Sequence, residues 1–136
     1  MSLLAFLFLL RVVGQALVAF LDVRWLPPMG EWYSGLLPYP LLLPSQIVIL
    51  LVQTKISLDF ARGQGVFVVP RPRAARPLLV ASAVYFGAMV VRYAVSMTLH
   101  PERRWLGMGT IPIVFHWVLA AYLFTLGRYH GRAEPR

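Results

Sequence analysis

Ionisable side chains stand where an otherwise apolar chain should hold none. Arg11 lies between Leu3–Leu10 and Val12–Leu21, Arg92 falls inside the apolar stretch 78–99, and His116 falls inside the stretch 111–126. A charge at the centre of a bilayer costs at least ~3 kcal/mol on insertion scales, so such a group faces other helices, water or a ligand, or snorkels to an interface. With Gln15 and Gln46 these residues offer positive charge, amide donors and acceptors, and an imidazole that can donate or accept. Groups of this kind hold an anion, a quinone carbonyl or a lipid phosphate. Arg11, Gln15, Gln46, Arg92 and His116 are therefore the candidate ligand-binding residues. Asp22 is the carboxylate nearest a helix stripe on the same side, which makes it the expected counter-ion of Arg92 or Arg24.

Other chemistries find less support. The chain has no pair of intramembrane carboxylates, no G-x-S-x-G, no H-E-x-x-H and no phosphate-binding glycine loop. No catalytic residue is assigned, the reading leans away from an enzyme, and no cofactor is required. His100 and Glu102 could join His116 around a metal ion, but their spacing matches no standard zinc or iron motif, and no metal is expected. The run His100-Pro101-Glu102-Arg103-Arg104-Trp105 reads instead as a helix end followed by a basic, aromatic turn that meets lipid headgroups.

Positioning the candidate groups takes membrane-spanning helices. Apolar periodicity predicts four, at about 3–22, 40–58, 78–99 and 111–127, each close to the ~20 residues that cross a bilayer, with a basic loop over 59–77. The expected architecture is all-α, a single antiparallel four-helix transmembrane bundle over 1–136. The first stretch lacks a basic leader and a small-x-small cleavage site, so it is expected to be retained. Trp25 to Tyr33 mixes turn-formers with amphipathic aromatics and is placed at a headgroup boundary. Val66 to Val69 is a short β-prone run within an extended basic loop.

Direction around each helix follows from ~100° per residue. Arg11, Gln15 and Asp22 fall within about 40° of one another, as do Gln46, Gln53 and Ser57. Ser82, Tyr85, Met89, Arg92 and Ser96 form a heptad-like seam, and His116 shares a face with Ala120. Depth follows from ~1.5 Å per residue: with outer ends near Asp22, Pro40, Leu99 and Ile111, the residues Gln15, Gln46, Arg92 and His116 come out roughly 7–11 Å below the outer surface. Such a layer is either interhelical hydrogen bonding or a site open toward the outer leaflet, and both readings stand at this point.

Composition agrees with a lipid-solvated exterior: 59% hydrophobic and 13% charged residues in 136, with a mean hydropathy of +0.68. The net charge of +8 does not point to nucleic acid, because the basic residues are spread among loops rather than along one face. Cysteine is absent, which removes disulfides, thiolate catalysis and Cys-ligated metal. Lys55, Arg62, Arg71, Arg73, Arg76, Arg128, Arg132 and Arg136 share one side of a four-span topology, against Arg24, Arg103 and Arg104 on the other. That bias predicts both termini in the cytoplasm, with the protein in a bacterial inner membrane. The first functional expectation is an accessory, partner-binding subunit of a membrane complex, through a membrane-protein partner or a homo-oligomer. The alternatives are a membrane-embedded enzyme or lipid/quinone-binding protein with its polar site in the outer half, and an anion transporter subunit.

Overall fold

The computed structural model of the protein describes residues 1–32, 38–99 and 110–132. Within them the chain forms α1 (Ser2–Leu21), α2 (Met29–Trp32), α3 (Tyr39–Arg62), α4 (Pro72–Leu99) and α5 (Thr110–Gly131), with no strand among the described residues. The four long helices have 20, 24, 28 and 22 residues. At ~1.5 Å per residue they run roughly 30–42 Å, enough for a hydrocarbon core of about 30 Å. All four are apolar enough to cross a membrane, so this is an all-α integral membrane protein.

The helix ends follow local chemistry. Asp22 closes α1 in the left-handed region at φ 45°, a conformation that Asp tolerates better than most residues. Pro38 is extended before α3, and its carbonyl accepts from the N–H groups of Leu41 and Leu42, both at 3.0 Å. Pro40 sits in the first turn, where its missing donor costs nothing. Gly63 ends α3 at φ 63° and donates to the Phe60 carbonyl at 3.3 Å.

Helices α3 and α4 extend beyond the apolar runs, to Arg62 and back to Pro72, so the expected loop 59–77 contracts to 63–71. Hydropathy marks only the lipid-facing part of a helix, whereas the helix continues while its backbone groups find partners. Pro72 opens α4 with a pre-set φ, and the Arg71 N–H donates to His130 Nδ1 at 3.2 Å. The Val66–Val69 run forms turns rather than a strand because side chains take its backbone groups. The Phe67 N–H donates to the buried Asp59 carboxylate, which Lys55 also pairs, and the Val68 carbonyl accepts from the Tyr129 hydroxyl at 2.6 Å.

Packing is uneven. Helices α4 and α5 share the most extensive contact, and α1 lies against both α5 and α3. Along the α4–α5 seam, Ser82 Oγ donates to the Ala120 carbonyl at 2.8 Å and Tyr85 meets His116. Ser82→Ala should weaken this seam by about 1 kcal/mol, the scale of an interhelical hydrogen bond in lipid. A lower midpoint in an SDS unfolding titration is expected, and an unchanged midpoint would contradict the role given to the hydroxyl. Helix α3 makes close backbone approach only to α1 among the described elements. It is tied to α5 by a side chain, the Tyr122 hydroxyl donating to the Gln53 carbonyl at 3.3 Å. Below that tie, Ile56, Tyr122 and Leu126 form a buried cluster with Leu4, Phe60, Phe67 and Leu78 around it.

One aromatic departs from its expected place. Trp25 is 81% exposed, as a headgroup-boundary residue should be, but Trp32 is buried. Its ring lies against Gly14 of α1, where a Cβ would approach within 2.7 Å, and its Nε1 donates to the Pro27 carbonyl at 2.8 Å. A close-fitting glycine and a satisfied indole make the bundle interior the better environment for this ring.

Candidate functional site

The site is built from α1, α3, α4 and α5: α1 contributes two polar groups and each of the others one. On α1, Arg11 and Gln15 are one turn apart and both buried, at 6% and 0% exposure. On α3, Gln46 is buried opposite Gln15 and donates from Nε2 to Gln15 Oε1 at 3.1 Å. On α4 and α5, the Tyr85 hydroxyl and His116 Nδ1 lie 2.5 Å apart, with their rings edge to face at 5.4 Å. When the hydroxyl donates, the imidazole hydrogen resides on Nε2, leaving that edge as a donor.

Arg11 carries the electrostatic weight. Its Nη2 donates to the Trp32 carbonyl at 3.4 Å, and its guanidinium carbon stands 5.8 Å from the centre of the Phe115 ring, within cation–π range. Tyr39, Tyr85 and His116 are within its electrostatic reach. No carboxylate pairs with it among the described residues, where the ion pair formed is Lys55–Asp59. Arg11 Nε, Gln15 Nε2 and Gln46 Oε1 are buried without hydrogen-bond partners among the described residues. A buried polar atom left unpaired costs about 1–3 kcal/mol, and more for a charged group.

Arg11 and Gln46 border open space. A cavity of about 210 Å³ is lined by Phe8, Arg11, Gln46, Tyr85, Phe115 and His116, among others. A larger crevice of about 570 Å³ lies between α3 and the α4–α5 pair, with Val52, Gln53, Ile56, Ala81 and Leu126 in its walls. Ile49, Tyr85 and Leu119 line both spaces, so the two adjoin.

Of the residues singled out from the sequence, Arg11, Gln15, Gln46 and His116 come together. Arg92 does not line the cavity: it is half-buried, seven residues along α4 from Tyr85, and acts on His116 electrostatically. The reason is relative height. Tyr85 is 14 residues from Leu99 whereas His116, which it touches, is 6 residues from Thr110, so α4 extends roughly 12 Å beyond α5 at that end. Taking Leu99 and Ile111 as level therefore put Arg92 where Tyr85 stands. Asp22 is exposed at the end of α1 and forms no ion pair among the described residues, so it is not the expected counter-ion there. It is the exposed C-cap residue of α1. His100 and Glu102 lie outside the described residues, and within those described no cluster of three His, Asp or Glu residues could hold a metal.

Residues outside the candidate set complete the site. Tyr85 stands in the α4 seam and Gln53 in the Gln46 stripe, but each lies seven residues from the position, Arg92 or Gln46, that the expected depth assigns to the layer. Gln53 is buried, and both its amide oxygen and amide nitrogen lack partners among the described residues. Trp32 had no such signal, because its role depends on meeting Gly14 across the bundle.

No protein-family model matches the chain, and neither a curated protein nor a solved structure matches it.

Proposed function

We propose that this protein is a small multi-pass membrane protein that binds a lipid-like amphiphile, with the ligand's polar end received by Arg11, Gln46, Tyr85 and His116. The observation that carries this reading is the buried Arg11 guanidinium, bordering a cavity with its Nε unpaired and no carboxylate beside it among the described residues. Interhelical hydrogen bonding alone would pair such groups with one another, as Gln15 and Gln46 are paired. A ligand oxygen at the cavity supplies the acceptor that the described residues do not. In the same reading the four spans are antiparallel with both termini cytoplasmic, supported by the excess of Lys and Arg on one side. The cavity then opens in the outer half of a bacterial inner membrane.

Native mass spectrometry of the protein taken from its membrane in mild detergent tests this. One small amphiphile retained per chain, distinct from bulk phospholipid, is the expected result. A bare chain, or one decorated only with the bulk lipids of the membrane, overturns it.

A second reading, an accessory subunit docked on a larger membrane protein, is favoured by α4. This helix packs closely only on α5 among the described elements and leaves Val80, Val84, Val91 and Val95 exposed. Stoichiometric co-purification of a larger protein in the same experiment would support it.

A further inference from the structure

We infer that the ligand is an isoprenoid quinone, its ring bridging Arg11 and Gln46 above to Gln53 below and its tail leaving through the crevice beside α3. This rests on the ligand-binding reading and adds the ligand's class. Among the buried unpaired polar atoms of the described residues, those on residues lining the cavity and the crevice fall in two tiers. Arg11 Nε and Gln46 Oε1 mark the upper one, and Gln53 Nε2 and Oε1 mark the lower. Gln46 and Gln53 are seven residues apart on one face of α3, which is about 10 Å along the helix.

Between the tiers the walls are apolar or aromatic: Ile49, Tyr85 and Leu119 line both the cavity and the crevice. A space with hydrogen-bonding groups at its two ends and an apolar, aromatic waist fits a six-membered ring bearing oxygens on opposite edges, with a hydrogen bond of ~2.9 Å at each. The Arg11 guanidinium and Gln53 Nε2 are the donors to those oxygens.

Depth excludes the commonest alternative. Arg11 is 10 residues from Leu21 and Gln46 is 7 from Tyr39, so the upper tier lies roughly 10–15 Å inside the helix ends. A two-chain phospholipid holds its phosphate at the membrane boundary and cannot bring it that far in. A compact head that dissolves among acyl chains can.

The tail follows from the shape of the gap. Because α3 stands off from α4 and α5, the crevice of about 570 Å³ continues from the waist along Val48 and Val52, which are 59% and 47% exposed. These two valines face the acyl chains of a membrane, so the chain of a ligand seated in the waist leaves directly into lipid. The Tyr122–Gln53 tie and the Ile56 cluster close the crevice toward the base.

The test uses the full chain in nanodiscs, titrated with a short-tailed ubiquinone and separately with palmitate, binding being read by quenching of intrinsic fluorescence and by native mass spectrometry. Wild type should bind the quinone at one per chain, at least tenfold more tightly than palmitate. Gln53→Leu should weaken quinone binding tenfold or more and leave palmitate unchanged, while its unfolding midpoint is held or raised because it removes an unpaired amide. Ile49→Trp, which fills the waist, should also block the quinone. Quinone binding that is lost in Arg11→Met but untouched by both Gln53→Leu and Ile49→Trp overturns the bridging ring and leaves the ligand-binding reading standing. Palmitate binding as tightly as the quinone assigns the site to a fatty acid and overturns the quinone. Binding of neither overturns both.

Discussion

Arg11→Met is expected to separate stability from binding: the ligand-free protein should unfold at the same or a higher midpoint, while ligand retention falls about 10–100-fold. The two effects have different origins. Removing a buried charge that has no carboxylate partner among the described residues relieves a desolvation cost, and well-packed apolar replacements of buried ions are often neutral or stabilising by about 1–4 kcal/mol. Methionine has nearly the reach of the arginine stem and packs against Phe8 and Phe115, which line the same cavity. The loss of one hydrogen bond from a charged donor to the ligand is worth about 1.5–3 kcal/mol, and each 1.4 kcal/mol is tenfold in affinity. Unfolding in detergent and ligand content by mass spectrometry measure the two sides independently. A marked fall in stability with ligand content intact would mean that the guanidinium serves the fold and not a ligand.

Gly14→Leu should be strongly damaging to both fold and cavity. The Cβ alone would stand 2.7 Å from the Trp32 ring, and a leucine side chain takes the space the indole fills. Overpacking of this kind costs about 1–3 kcal/mol. The ring also carries α2 and the carbonyl that accepts from Arg11, so displacing it disturbs the cavity as well. The expected results are a lower unfolding midpoint, a red-shifted emission from a variant whose sole tryptophan is Trp32, and reduced ligand retention. Combining Gly14→Leu with Trp32→Leu should recover part of the lost stability, because the two residues compete for one volume. Strict additivity of the two changes would contradict the contact.

Much of this architecture is legible in the residues themselves, and the gaps have physical causes. The four spans follow from apolar run length, since a helix in lipid must show apolar side chains around most of its circumference. The clustering of Arg11, Gln15, Gln46 and His116 follows from angular periodicity within each helix. Relative height between helices does not, because it depends on how each chain segment is capped and on how far the helix runs past its apolar part. That is why Tyr85 occupies the level expected of Arg92. Contacts between residues far apart in the chain are hidden for the same reason: nothing local to Trp32 announces the space above Gly14, and nothing local to Gln53 shows that its amide borders a crevice.

The unequal lengths of the spans carry one more consequence. Helix α1 has 20 residues and α4 has 28, but Arg73 and Arg76 hold the first turns of α4 outside the apolar core, so its apolar part, 78–99, outruns that of α1, 3–22, by only about two residues, roughly 3 Å. That excess is where hydrophobic mismatch falls, at a fraction of a kcal/mol per Å. A thinner membrane would press α4 to lean somewhat further than α1. The leaning helix is the one that brings Tyr85 to His116, so lipid thickness reaches the binding level through that single seam.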